Sequence, residues 1–99
     1  MTDYNQRGKT MTIEETLKDR QERYGSLRGH AAISQGLKRM MQYQENGSES
    51  RNWDKLTDDK KEALEMIAHK IARILNGDPE YKDNWHDICG YAKLIEDTL

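Results

Sequence analysis

Acidic side chains at helical spacing, in the second half of the chain, are the residues best suited to chemistry. Glu62 and Glu65 lie three residues apart, and Asp83 and Asp87 lie four residues apart further along. Side chains at these spacings share one face of a helix. Carboxylate oxygens suit Mg²⁺ and Mn²⁺. The pattern predicts a magnesium site formed by Glu62, Glu65, Asp83 and Asp87, in which Glu62 and Glu65 are the candidate catalytic carboxylates that activate a water.

Further polar residues surround these acids in the sequence. Because Mg²⁺ usually leaves coordination positions to water and substrate phosphates, a magnesium site here would hold a phosphate-bearing ligand. Cationic side chains would contact the remaining phosphate oxygens. The candidate ligand-binding residues are His69, Lys70, Arg73, Asn76, Asn84 and Tyr91. A solvated helix face with pairs four residues apart, such as Glu65 with His69, explains part of the same pattern without any ligand.

Four amphipathic segments would position these residues. Thr12 and Glu15 match a capping box that begins a helix over residues 13–23. The second helix is predicted from about Gly29 to Gln44. The third begins after a Thr57 cap and stops at Asn76-Gly77. The fourth is capped by Asp83 or Asn84. The predicted core stripes are Ile13 and Leu17; Ile33, Leu37, Met40 and Met41; Leu64, Ile67, Ala68, Ile71, Ile74 and Leu75; and Trp85, Ile88, Ala92, Ile95 and Leu99.

These segments predict an all-α fold, a compact bundle of about four antiparallel helices. Residues 1–11 are polar and aperiodic and are interpreted as a flexible N-terminal tail, and residues 12–99 as a single helical domain. Apolar residues make up 34% of the chain and charged residues another 34%. Because so polar a chain buries a thin core, a homodimer or higher homo-oligomer is expected.

Composition argues against several classes of function. The formal charge is −2 with mixed signs, so no DNA or RNA partner is expected. No apolar run approaches the roughly 20 residues of a membrane span, and the first residues lack a signal-peptide core. The lone Cys89 rules out an intrachain disulfide. A cytoplasmic protein is expected.

The segment from Glu62-Ala-Leu-Glu65 to Asn84-Trp-His-Asp87 resembles the E-x-x-E…E-x-x-D pattern of the MazG-like all-α NTP pyrophosphohydrolase superfamily. That resemblance implies an oligomeric helical enzyme that uses Mg²⁺ to cleave a nucleoside triphosphate, with Glu62, Glu65 and Asp87 at metal-ligand positions. Asn84 stands where the pattern has its third acid. Residues 14–98, with their NGDP and NWHDICGYA segments, look similar to a small phage- and prophage-encoded domain family of uncharacterised function.

Two functional hypotheses follow from the acids and the resemblances. The first is a phage-type accessory protein that binds a nucleotide, with or without Mg²⁺-dependent pyrophosphohydrolase activity. The alternative is a non-enzymatic phage inhibitor of host defence, located in the cytoplasm of the bacterial host. It would act by sequestering a signalling nucleotide or by occluding a host defence protein.

Overall fold

The computed structural model describes residues 11–43 and 52–99, and all their regular structure is helical. The helices are α1 (Ile13–Tyr24), α2 (Leu27–Met41), α3 (Asn52–Lys55), α4 (Asp58–Asn76) and α5 (Lys82–Glu96). The predicted all-α class is confirmed, with five helices instead of four because a single turn precedes α4. The predicted tail, apart from its last residue, and residues 44–51 between the second and third predicted helices lie outside the described residues. None of the described helices combines the length and apolar character needed to cross a membrane.

The helix starts follow local capping chemistry, with one correction. The capping box of α1 is confirmed: the Glu15 N–H donates to Thr12 Oγ1 over 3.1 Å, and the Thr12 N–H donates to Glu15 Oε2. The α4 helix begins after Thr57 as predicted, and Thr57 is its N-cap residue. The Thr57 hydroxyl donates to the Asp59 carboxylate, and it accepts no hydrogen bond from a backbone N–H of the first turn.

The predicted cap of the last helix at Asp83 or Asn84 is wrong, because α5 already begins at Lys82 and its N-cap residue is Tyr81. The Asp78 carboxylate accepts the Glu80 N–H, and the Tyr81 N–H donates to the Asp78 carbonyl. Because this turn closes by Tyr81, α5 begins at Lys82, and Asp83 lies within the first turn of the helix.

The central helix is α4, which packs against α2 on one side and α5 on another. At about 100° per residue, Ala68 and Ala72 point toward α2, whereas Ala63 and Ile74 point toward α5. These four are the buried apolar residues of the described chain. Because three of them are alanines, the helix backbones approach closely but bury little apolar surface.

Eight of the seventeen predicted core residues are exposed, seven are half-buried, and Ala68 and Ile74 are buried as predicted, which corrects the expected packing. Side chains predicted to be buried are exposed at Ile13, Leu17, Met40, Leu64, Leu75, Trp85, Ala92 and Leu99. The cause is that α2, α4 and α5 form a single layer, and α1 contacts α4 mainly near the C-terminal ends of both helices. An amphipathic face in a single layer has no second layer to cover it. Trp85 instead donates its indole N–H to the Pro79 carbonyl over 2.9 Å.

The turn between α1 and α2 docks on the end of α4. The Asn76 amide donates to the Tyr24 and Ser26 carbonyls over 2.8 and 2.9 Å, and the Asp78 N–H donates to the Arg23 carbonyl. The α4 helix ends at Asn76 as predicted. Gly77 has a φ of −125°, which other residues can also adopt. Glycine is needed there because a Cβ would overlap the Arg23 and Tyr24 backbone.

Candidate functional site

An open pocket of about 440 Å³ lies where α1, the start of α2 and the second half of α4 meet. The docked turn described above forms one wall, so Asn76 and the glycines around it hold the pocket in shape. The lining residues are Leu17, Arg20, Gln21, Tyr24, Gly25, Ser26, Leu27, His30, His69 and Arg73. A volume of this size is typical of small-molecule sites.

Positive charge dominates the pocket. Two lining residues are arginines, and the described residues of the lining include no carboxylate. The guanidinium carbon of Arg73 lies 4.2 Å from the centre of the Tyr24 ring, and that of Arg20 lies 5.6 Å from it. The N-terminus of α2, with Ser26 as cap, adds the partial positive charge of a helix start. The pocket is therefore suited to an anionic ligand.

Two histidine rings meet at the inner side of this pocket. His30 Nε2 and His69 Nδ1 are 3.1 Å apart, and the rings meet edge to face. Burial, with a further contribution from Arg73, lowers the pKa of His69 to about 4, and burial also lowers the pKa of His30. Both rings are therefore neutral at pH 7, with one nitrogen donating and the other accepting. His30 Nδ1 is buried and has no hydrogen-bond partner within the described part of the chain.

Acidification is expected to destabilise the protein through this pair. Between about pH 6.5 and 4, His69 is protonated in the unfolded chain but stays neutral in the folded chain. The free energy of unfolding therefore falls as the pH falls. Allowing for partial exposure of the ring, we expect a loss of about 1 kcal/mol between pH 7 and pH 5. Urea unfolding at the two pH values measures it. His69→Gln should reduce the loss, whereas His86→Gln, at an exposed position on α5, should not. Equal pH dependence in all three proteins would contradict the role of the pair.

The structure divides the six predicted ligand-binding residues into three groups. His69 and Arg73 line the pocket. Asn76 is not in the lining, because its side-chain amide donates to the Tyr24 and Ser26 carbonyls of the α1–α2 turn. The others, Lys70, Asn84 and Tyr91, lie outside the lining. Asn84 is 1% exposed, and its amide nitrogen has no partner among the described residues.

The predicted metal-binding acids are engaged separately. Asp87 pairs with Lys70 over 2.8 Å, and the hydrogen bond from Lys70 lowers the pKa of Asp87. Asp83 accepts a hydrogen bond from the Tyr81 hydroxyl over 3.0 Å. Glu62 is exposed and Glu65 is half-buried. Within the described ranges, no three His, Cys, Asp or Glu side chains are grouped to hold a metal ion.

The register between α4 and α5 explains why these acids stay apart. The Lys70–Asp87 contact fixes how the two antiparallel helices align. Glu62 lies eight residues before Lys70, about 12 Å along α4 at 1.5 Å per residue. In an antiparallel pair Asp83 is displaced the opposite way, so it lies about 18 Å from Glu62 along the axis. One chain therefore does not assemble the predicted four-carboxylate set, and the magnesium site stays a prediction through which we derive no chemical step.

Eight of the ten lining residues were not among the predicted site residues, and all eight lie on α1, in the α1–α2 turn or in the first turn of α2. The sequence carries one signal that points to them. Gly25, Gly29 and Gly77 all lie at places where a Cβ would overlap a neighbouring segment. Such a cluster marks a close contact between the α1–α2 turn and the end of α4, and α1 residues one turn earlier must lie beside it.

The fold and pocket define a class: a small helical domain with an open, cationic site beside a histidine pair. The chain belongs to the family whose model is described as a domain of unknown function, DUF6378, which matches residues 11–99. No curated protein and no solved structure matches the chain. The phage origin and the resemblance to the MazG-like superfamily stay predictions.

Proposed function

We propose that this protein binds a nucleotide in the pocket between α1, α2 and α4. The observation that carries the proposal is the pairing of Arg20 and Arg73 at a pocket whose described lining has no carboxylate. A phosphate group is recognised by arginine through charge and paired hydrogen bonds. The start of α2 adds backbone N–H groups on the same wall.

The rest of the lining suits the uncharged part of a nucleotide. Leu17 and Leu27 offer apolar surface, and Leu27 is among the most exposed leucines of the described chain. Tyr24 supplies an aromatic ring that already contacts both arginines. The histidine pair leaves one ring nitrogen, His69 Nε2, to form a hydrogen bond with a polar group of a base or sugar. The other nitrogens are used within the pair or are buried. The pocket therefore offers cationic groups to the phosphates of a nucleotide and apolar and polar groups to its base and sugar.

Binding without turnover is the form of the proposal that the geometry favours. The carboxylates that hydrolysis would need are spread along α4 and α5, and Asp87 is paired with Lys70. Sequestering a signalling nucleotide, as a phage-type accessory protein would do against host defence, requires only the pocket. The pyrophosphohydrolase hypothesis requires in addition that the acids and Mg²⁺ come together beside the bound phosphates.

Thermal unfolding with a panel of nucleoside triphosphates and cyclic dinucleotides, with and without Mg²⁺, tests the proposal. A ligand at a hundredfold excess over its dissociation constant should stabilise the fold by about 2.7 kcal/mol. In Arg20→Gln, the ligand concentration needed for the same shift of the unfolding midpoint should rise about tenfold or more. Arg20 is exposed, so its replacement removes charge without disturbing the core. Arg39→Gln, an exposed arginine outside the lining, is the matched control. No shift with any nucleotide, or equal loss in both variants, would contradict the proposal. Release of pyrophosphate would favour the hydrolase form.

A further inference from the structure

One face of the α2–α4–α5 layer is apolar and uncovered. The pocket side of α4 carries Arg73, His69 and Glu62, which fall together on one arc at about 100° per residue. Leu64, Ile71 and Leu75 lie on the opposite arc of α4. The face away from the pocket therefore presents apolar side chains where the other face presents charge.

The neighbouring helices continue this apolar face. On α2, His30 points to α4 and Leu27 to the pocket, which places Ile33 and Met40 on the far side. On α5, the buried Asn84 marks the side that faces α4. Asp87, which contacts Lys70, lies about 60° from Asn84 in one direction, and Trp85 lies about 100° from it in the other, which places Trp85 on the far side. The apolar face consists of Ile33, Met40, Leu64, Ile71, Leu75, Trp85, Ala92 and Leu99.

The spacing of these residues is regular in all three helices. Ile33 and Met40, Leu64 and Ile71, and Trp85 and Ala92 are each seven residues apart. Leu99 follows Ala92 at the same spacing but lies beyond the end of α5 at Glu96. Seven residues are nearly two helical turns, so the repeat keeps apolar side chains on one line along each helix. Three parallel lines of this kind form a continuous surface.

We propose that a second copy of this chain covers the apolar face and forms a symmetric homodimer. The buried apolar core of the described chain consists of three alanines and one isoleucine, which is thin for a domain of this size. Five large side chains on the face are between 41% and 85% exposed, which leaves on the order of 100 Å² of accessible surface on each: Met40, Leu64, Leu75, Trp85 and Leu99. With Ile33, Ile71 and Ala92, the face approaches the ~800 Å² per partner of a standard interface.

A second copy fits because the face needs no charge partner. In a two-fold dimer the same patch meets itself, and an apolar patch is complementary to its own copy whereas a charged patch is not. The stacked layers would place both pockets on the outside of the dimer, open to solvent. Dimer formation and nucleotide binding are therefore separable by experiment.

Two leucines with the same exposure provide a matched test. Leu75 lies on the apolar face and is 66% exposed, and Leu94 lies on the pocket side of α5 and is also 66% exposed. We expect sedimentation equilibrium to show a dimer for the unmodified protein and for Leu94→Glu, and a monomer for Leu75→Glu at the same concentration.

A dimer that is required for folding would make Leu75→Glu unfold, which circular dichroism would reveal. In that case the unfolding midpoint of the unmodified protein must rise with protein concentration. The proposal would be overturned if the unmodified protein were a monomer and its unfolding midpoint were the same at two protein concentrations about 100-fold apart. A dimer that survives Leu75→Glu, or that Leu94→Glu dissociates equally, would also overturn it.

Discussion

Replacing Gly25 with alanine is expected to lower the free energy of unfolding by about 4 kcal/mol. Gly25 has φ 77° and ψ −167°, a region of backbone space that side chains other than glycine rarely enter. A Cβ at this position would also overlap the Asn76 carbonyl oxygen, which is backbone and cannot swing away. A loss of this size is a large part of the stability of a small domain.

Urea unfolding followed by circular dichroism measures the effect, and Gly90 provides the control. Gly90 lies within α5, and a Cβ there would meet no neighbouring atom within 4 Å. Gly90→Ala should therefore raise stability by about 0.5–1 kcal/mol, since alanine favours a helix interior over glycine. Equal effects of the two substitutions would show that the α1–α2 turn does not dock on α4 as the structure has it.

Removing the Asp87 carboxylate is expected to cost about 2 kcal/mol of unfolding free energy. The Lys70 side chain is 11% exposed, and its ammonium would lose its carboxylate partner in a poorly hydrated position. The cost is below that of a fully buried pair because Asp87 is 42% exposed and water can reach the site. Since the pKa of Asp87 is lowered, the contribution is present above the unfolded pKa of about 3.9 and is lost as the pH falls through the lower folded pKa.

A second lysine–aspartate pair gives the matched comparison. Lys93 in the last turn of α5 and Asp97, the C-cap residue of that helix, approach to 2.6 Å at exposed positions. Asp97→Ala should cost less than about 1 kcal/mol, as exposed pairs do. The double variant Lys70→Met/Asp87→Ala should recover much of the stability lost in Asp87→Ala, because no unpaired charge remains. If Asp87→Ala and Asp97→Ala had the same effect, Lys70 would not be buried in solution.

Helix positions were largely predictable from local chemistry. The Thr12–Glu15 capping box and the Asn76-Gly77 stop act within a few residues of themselves, so the sequence carries their signals directly. The start of α5 was misplaced because Asp78 closes a turn that an Asp83 cap would not have needed. Two local signals compete here, and the turn at Asp78 places the helix start before Asp83.

Packing between helices was the part that the sequence did not reveal. Apolar spacing identifies a face but not whether another layer covers it. It therefore predicts Leu75 and Trp85 as core residues, whereas both are exposed. The same limit applies to the site. Spacing places Glu62 and Glu65 near each other on α4 and Asp83 and Asp87 near each other on α5. The register set by Lys70 and Asp87 nevertheless keeps Glu62 and Asp83 apart along the helix axes. Register depends on contacts between distant residues, which spacing along one helix does not contain.

The pocket was only partly predictable for the same reason. His69 and Arg73 were identified because they share a face of one helix. Arg20 and His30 reach the pocket only because the turn at Gly25 folds α1 and α2 back onto the end of α4. Long-range docking of this kind is visible in the sequence only through the glycines that permit it.

An amide-resolved NMR titration with ATP, and then with a cyclic dinucleotide, tests most directly whether the cationic pocket is the ligand site. We predict shifts concentrated in residues 20–30 and around His69 and Arg73, with smaller changes in Arg20→Gln. Shifts confined to Glu62, Glu65 and the start of α5, or no shift with either nucleotide, would contradict the proposed site.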